Sequence, residues 1–387
     1  MKVRKKYMSS NLIELFTIFV LLMSSLVFVA PVRGQGNVSW EISDNVVNVT
    51  IDNINVQIVG QTGISGITIG DIRIVNSIGL APFKPGWQWV GGTWDYGDVL
   101  ESPTVKEIPG GIRVRTHARF PPGSGQYFDF LGIYTIYDSG MIIANYTITA
   151  YESTDIQDIL LYIIFPVNLV AGKTLNIAYG GTTSGILIPS KYMKFTISTG
   201  SFVAVYLSTS EGDVIVITLD PPSMSYEISD TRAWGGGNIE FKGHLASAGT
   251  VPKGTVYKVS LIIYPHTKGA EFTESFVRLF NYLGTIEGEL LSMKNLHYEF
   301  RTPQGAKLFH QCKEEFSLAK SAFSKGDVES AYTHAQNALK LLQEMKNVER
   351  SWRIRLYILI PGIIELAIVL LVVRSALRKT KGFKSTQ

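Results

Sequence analysis

Half of the chain's six tryptophans sit in one short stretch, GWQWVGGTWDYGD, residues 86–98. Trp87, Trp89 and Trp94 are joined there by Asp95, Tyr96 and Asp98. Indole rings stack on the apolar faces of sugars, and carboxylates and phenols bind hydroxyls, so this combination suits a glycan. Trp87 and Trp89 stand two apart and point the same way in an extended segment. The alternative is that both enter a core with their N–H groups bonded inside, while Trp94 covers a sheet end.

Two further stretches carry candidate ligand-binding side chains. In DTRAWGGGNIEFKGH (230–244), Trp234 precedes three glycines and either closes over a cleft or rides on a hairpin loop. In GIRVRTHARF (111–120), a period of two puts Arg113, Arg115, His117 and Arg119 on one face. Such a row either holds carboxylated, sulfated or phosphorylated groups or pairs with acids on neighbouring strands. A carboxylate pair for glycoside hydrolysis is defined in space, and Asp95, Asp98, Glu101 and Asp129 form the pool for one. The histidines at 117, 244, 266, 297, 310 and 334 show no HxH or HExxH spacing. No DxDxDG, GxSxG, GxGxxG or phosphate-binding loop occurs. Neither a metal nor a cofactor is expected.

These side chains need a scaffold, and residues 38–265 alternate as strands do. NVVNVTIDNINVQIV (45–59), DVIVITL (213–219) and TVYKVSLIIY (255–264) carry the pattern. IYDSGMII within 133–151 predicts a hairpin turning at Asp138-Ser139-Gly140. Roughly sixteen strands at this spacing predict a mainly β fold, one large antiparallel sandwich over 38–265. Beyond Pro265 the period changes. Phe272, Phe276, Leu279, Phe280, Leu283, Ile286 and Leu290 mark a helix over 271–296. A second helix covers 303–324, opening at Pro303, and a third covers 328–350. Lys325-Gly326-Asp327 (325–327) stops one helix and caps the next. AFSKGDVESAYTHAQNALKLL (322–342) resembles one hairpin of a tetratricopeptide-type repeat, in a single copy. The span 271–350 is therefore expected to be a three-helix stalk, about 36 Å long for a 24-residue helix.

The ends place the chain at a membrane. Residues 1–34 combine Lys2, Arg4, Lys5 and Lys6 with an apolar run from Leu12 to Ala30, the pattern of a secretory signal. Val32 and Gly34 suit cleavage before Gln35, and an uncleaved anchor is the alternative. LYILIPGIIELAIVLLVV (356–373) is long enough to cross a bilayer as one transmembrane helix. The basic tail 374–387 belongs in the cytoplasm, which puts the body outside as a cell-membrane, single-pass protein. Trp352 and Tyr357 suit the interface. Glu365 lies within the span and either serves a function or pairs with a neighbouring helix. Residues 35–350 hold 24 basic and 30 acidic residues, a net of −6, so the overall +4 belongs to the ends and is no nucleic-acid footprint. The lone Cys312 allows no internal disulfide; it either links two copies or fills a core. Asn37, Asn48 and Asn145 open glycosylation sequons.

GGIRVR (110–115), the hairpin YTIYDSGMIIANYTITAY (134–151) and the long apolar strand DILLYIIFPVNL (158–169) together resemble the galactose-mutarotase-like supersandwich. The resemblance implies a large two-sheet fold of the kind found in mutarotases and carbohydrate-active enzymes. No residue of the His–Glu pair that mutarotases use is carried over, because no motif here locates it. The order of parts is also similar to membrane-anchored proteins that tether a surface layer. The expected role is a non-catalytic sandwich, anchored in the lipid bilayer, that binds glycans or envelope glycoproteins or scaffolds the envelope, with a homo-oligomer through the stalk as a further expectation. The alternatives are a tethered glycosidase or epimerase, with a carboxylate pair or a His and a carboxylate near Trp87–Asp98, and an accessory subunit of a membrane complex. On the last reading Glu365→Leu disrupts assembly, and unchanged co-purification counts against it.

Overall fold

Alternating apolar residues force this chain into paired strands, because each strand buries one face and must find a second sheet to bury it against. The computed structural model describes residues 38–382 except 95, 122, 124–126, 181, 296, 297, 325 and 326. The expected signal segment, Asn37, Asp95, His297, the 325–326 turn and the end of the basic tail lie outside the described residues.

The strands are β1 (Val38–Ser43), β2 (Val46–Ile51), β3 (Ile54–Val59), β4 (Gly63–Ile69), β5 (Ile72–Val75), β6 (Ser77–Lys84), β7 (Gln88–Trp89), β8 (Asp98–Ile108), β9 (Gly111–Phe120), β10 (Phe128–Tyr137) and β11 (Ile142–Ala150). They continue as β12 (Thr154–Ile156), β13 (Asp158–Pro166), β14 (Thr174–Tyr179), β15 (Thr182–Leu187), β16 (Thr196–Phe202), β17 (Ala204–Ser208), β18 (Asp213–Asp220), β19 (Met224–Asp230), β20 (Asn238–His244), β21 (Gly249–Val251) and β22 (Val256–His266). The first sheet has 11 strands, ordered β1-β2-β3-β4-β6-β13-β20-β19-β16, with β5 on β4 and β7 on β6. The second has 9 strands, ordered β15-β14-β17-β18-β22-β11-β10-β9-β8, and β12 pairs with β21. The pairing is antiparallel throughout. The count exceeds the sixteen expected because short strands such as β5, β7, β12 and β21 carry too few residues to show a period.

One hydrophobic cluster fills the space between the sheets, from Val47 and Ile58 through Phe130 and Tyr134 to Phe241 and Ile263. The expected hairpin forms between β10 and β11, and Gly140 adopts φ +88°, which its turn requires and which favours glycine.

The chain divides into two compact units, one reaching Asn281 and the other comprising Tyr282–Phe323 and Asp327–Gln387. The helix Ala270–Asn295 begins in the first unit, where Phe272 and Phe276 pack on Tyr264 of β22. Its hydroxyl-bearing Thr273 is buried and donates to Asp213 Oδ2 at 2.5 Å. His266 lies beside it, 3.3 Å from Thr273 Oγ1, with its Nδ1 accepting from the Lys268 N–H at 3.2 Å.

In the second unit the helices Pro303–Ser324 and Val328–Ile354 pair through a stripe of Val328, Ala331, Ala335, Ala338, Leu342 and Met345. Cys312 is buried there and donates to the Ala338 carbonyl at 3.3 Å, and burial pushes its thiol up to about 11. This is the core-filling alternative of the two raised by the sequence. Asp327 caps the third helix by accepting from Ser330 N–H at 3.1 Å. The buried Glu349 accepts from the Thr302 N–H and hydroxyl at 3.2 and 2.8 Å, closing the start of the helix Pro303–Ser324. No break separates the third helix from the apolar span. Val328–Arg374 is one helical run whose mean hydropathy peaks at 2.7, long and apolar enough to cross a membrane. It widens to a π turn at Arg355–Leu359, where Pro361 has no N–H to give to the preceding turn.

Burial between aromatic rings holds His266 down to about 4, well below the ordinary 6.5. The unfolded chain therefore binds a proton that the folded chain refuses between pH 6.5 and about 4. Stability is expected to be level above pH 6.5 and to fall below it, by on the order of 1.4 kcal/mol per pH unit from this group. Urea midpoints across pH 4.5–7.5 check this: His266→Gln should flatten the acid limb, and an unchanged limb would refute the assignment.

Candidate functional site

The first sheet turns one face to the core and the other outward, and β13 is apolar on both. Its Ile159, Leu161, Ile163 and Phe165 belong to the main core. Leu160, Tyr162 and Ile164 point the other way, yet they are also buried, in a second cluster with Ala81 and Phe83 of β6 and the half-buried Trp94. A row crosses this outer face on five neighbouring strands: Gly79 beside Tyr162, then Lys242, Glu227 and Thr199.

The tryptophan-rich segment supplies the cover. Thr93 exchanges two hydrogen bonds with Leu80 of β6, its N–H donating at 3.0 Å and its Oγ1 accepting at 2.8 Å. That pin lays Trp94 over the bare backbone of Gly79, where an added Cβ would sit 3.0 Å from the indole, and against Tyr162 at 5.3 Å between centroids. The β6–β7 hairpin holds the other two. Trp87 stands at its tip with φ +61° and meets Phe83 edge-on at 5.7 Å. Trp89 stacks on Tyr96 at 5.4 Å. Trp87 and Trp89 are 52% and 47% exposed, so the core placement weighed for them is not what forms.

Beside this aromatic wall runs a ladder of charge. Lys242 Nζ lies 3.6 Å from Glu227 and 3.3 Å from Glu240, and 3.0 Å from the Ser229 hydroxyl. The ammonium also sits 5.7 Å from the Tyr162 ring and 5.0 Å from that of Phe195. Burial, with the nearby Glu240, Glu227 and Asp158 carboxylates, pushes the Tyr162 phenol far up, so it stays a neutral donor. At the next row His244 Nδ1 pairs with the buried Asp158 at 2.7 Å, and that bond raises the imidazole above its ordinary value.

Other sequence candidates lie elsewhere. Trp234, 67% exposed, ends a 3₁₀ turn (Thr231–Trp234) between β19 and β20 and stacks on Phe195 at 4.5 Å. Arg113, Arg115, His117 and Arg119 do share the outward face of β9, in the second sheet. Acids on the flanking strands pair with Arg115, His117 and Arg119. Glu101 ion-pairs with Arg115 and meets His117 Nδ1 at 3.1 Å, and Asp129 takes His117 Nε2 at 2.9 Å and Arg119 at 3.6 Å. The Arg115 guanidinium, then His117, holds the Glu101 carboxyl down to about 2. Asp98 accepts from the Gly123 N–H at 2.8 Å. Asn48 and Asn145 are half-buried on β2 and β11, where Asn145 accepts from the Ser260 hydroxyl at 2.7 Å. Among the described residues no three His, Cys, Asp or Glu side chains gather as a metal site.

Sequence reasoning missed Tyr162, Glu227, Glu240, Lys242, His244 and Asp158. A usable signal was present: DILLYIIFP has no polar alternation, which marks a strand covered on both faces and hence something laid over its outer side.

No protein-family model matches this chain, and no curated protein does. Among solved structures it is similar to a galactose mutarotase-like protein from Lactobacillus casei, at 9% identity and TM-score 0.36, over 57% of this chain and 100% of that one. It is also similar to galactose 1-epimerase from Lactobacillus acidophilus, at 11% and 0.38 over 60% and 98% of the two chains. A third is an alpha-N-acetylgalactosaminidase from Bifidobacterium bifidum, at 11% and 0.37 over 72% and 40%. Galactose mutarotase-like proteins, the group the strand rhythm resembles, are thus among the neighbours.

Two measurements check this geometry. In an NMR titration, Asp158→Asn should bring the His244 pKa down toward its ordinary value; an unmoved pKa would mean that the pair does not form. Gly79→Val, whose Cβ would clash with Thr93 Oγ1 and sit 3.0 Å from the indole, should displace the Thr93 pin and with it Trp94 from Tyr162, read as a red shift of tryptophan emission, with a loss of about 1–3 kcal/mol in stability from overpacking.

Proposed function

We propose that this chain is a membrane-anchored surface protein whose sandwich binds glycans, without turnover, on the outer face of the first sheet. The observation that carries the reading is the row in which Trp94 and Tyr162 form an aromatic wall directly beside the Lys242–Glu227–Glu240 ladder. A sugar needs both: ring faces for its C–H side and charged or polar groups for its hydroxyls. The position of Lys242 favours binding over hydrolysis. Its ammonium occupies the space between the two carboxylates, where a glycosidase would need a scissile oxygen or a water. The apolar helix supports anchorage, and the basic tail after it supports a cytoplasmic C-terminus.

The enzyme alternative has one observation in its favour, the His244–Asp158 pair one strand from the tryptophan hairpin. On that reading His244 supplies a proton to a sugar oxygen. Polarimetry and reducing-end assays on the wild type and His244→Gln decide it: turnover that the variant loses would replace the binding role with a carbohydrate-active enzyme.

The full chain in lipid nanodiscs, screened on a glycan array, tests the main reading. Wild type should retain at least one glycan class. Trp94→Phe and Lys242→Gln, which keep a packed ring and a polar group in place, should each weaken it several-fold while the chain stays folded, as melting curves would show. An array on which wild type retains nothing would sink the proposal.

A further inference from the structure

The wall and the ladder do not stop at one sugar's width. Aromatic contacts continue in both directions from Tyr162. Phe83 stacks on Tyr162 at 6.4 Å, and Trp87 meets Phe83 at 5.7 Å. Across Lys242, whose ammonium lies near both rings, the line resumes at Phe195 and passes to Trp234 at 4.5 Å. The two tryptophans lie towards opposite strand ends, Trp87 beyond Phe83, which pairs with Asp158, and Trp234 beyond Asp230, which pairs with Ile239; between them the row from Gly79 to Thr199 crosses four inter-strand steps. At about 4.8 Å each these span roughly 19 Å, several times the width of a sugar ring.

Both ends of this line are exposed tryptophans on tightly held turns. Trp87 occupies a left-handed backbone position at a hairpin tip, which costs a non-glycine residue energy. Trp234 rides on a turn fixed by Arg232, which pairs with the fully buried Asp230 at 2.7 Å and donates to the Pro189 and Ser190 carbonyls at 2.8 and 2.9 Å. Arg232 is thus committed, and among the described residues the Trp234 ring has Phe195 as its aromatic neighbour while 67% of the residue faces solvent. A core tryptophan would not be placed this way, and a merely solvated loop would not need a buried ion pair to fix it.

We infer that the face takes a linear oligosaccharide laid obliquely over β6, β13, β20 and β19, with Trp87 and Trp234 as the outer aromatic platforms and Trp94, Tyr162 and Lys242 at its centre. This rests on the glycan-binding reading above and adds the length and direction of the ligand. Calorimetry on the full chain in nanodiscs tests it, with the monosaccharide, disaccharide and hexasaccharide of the malto-, cello-, manno- and galacto- series as probes. For the series that binds, the hexasaccharide should bind at least tenfold more tightly than the monosaccharide. Trp87→Ala and Trp234→Ala should each shrink that ratio several-fold, and Trp234→Tyr, which keeps a stacking ring, should restore most of it. A monosaccharide that binds as tightly as the hexasaccharide, or a ratio untouched by both alanine variants, would overturn the inference while leaving glycan binding intact. Absence of binding by every probe at every length would overturn the glycan reading and this inference together.

Discussion

A central strand that is apolar on both faces cannot leave one of them in water, and most of what distinguishes this sandwich follows from that. β13 buries Leu160, Tyr162 and Ile164 outward as well as its inward core residues. Covering that outer side by a helix would seal the sheet. Here a loop covers it, and the loop is built from indole rings. Thr93 ties the loop to β6 and Gly79 leaves room beneath, so Trp94 lies over bare backbone and against Tyr162. The cover is thin at its margins, and aromatic surface emerges there at Trp87.

The neighbouring strands solve the opposite problem. β19 and β20 keep a polar outer face, alternating as half-covered strands do. Their charges nevertheless sit close against the aromatic wall, and Lys242 is only 11% exposed in its side chain. An ammonium this enclosed needs partners on every side, and it has them: two carboxylates, a hydroxyl and two ring faces. The result is a fixed set of donors and acceptors beside a fixed apolar surface. On the proposed reading a polyhydroxylated ligand would meet a surface that is already ordered, which keeps the ordering cost of binding low.

How far the sequence leads depends on which distances matter. Period-two alternation is local, so β9, β10, β11 and the Asp138-Ser139-Gly140 hairpin are legible to within a residue or two. Helical spacing is equally local, and so is the Asp327 cap. The short strands are invisible because three or four residues hold no period. The site was legible only in part. The tryptophan cluster was visible as composition, but Trp87, Trp89 and Trp94 separate in space and contact Phe83, Tyr96 and Tyr162 respectively. Lys242 and Glu227 meet because β19 and β20 pair, and Tyr162 joins them because β13 lies next to β20. That β13–β20 register spans about eighty residues and leaves no trace in spacing. The arginine row of β9 shows the reverse: its face was legible, whereas the Glu101 and Asp129 partners that occupy it were fixed by pairing with β8 and β10.

The second sheet bears on why the first is the one proposed to carry a ligand. Ile262 and Tyr264 of β22 and Ile217 of β18 point outward from the second sheet and are buried. Their cover includes the opening turns of the helix Ala270–Asn295, through Phe272 and Phe276 on Tyr264. Thr273 donating to the buried Asp213 sets where that helix docks. Farther along the same sheet, Arg115, His117 and Arg119 already pair with the acids opposite them, and Arg119 also lies 4.0 Å over the Tyr151 ring. Those ion pairs are no more complete than that of Lys242, so what sets the first sheet apart for a ligand is exposed indole surface. On the first sheet a ligand would add contacts to the exposed faces of Trp87 and Trp234 and to the half-buried Trp94, and apolar surface released from water favours binding.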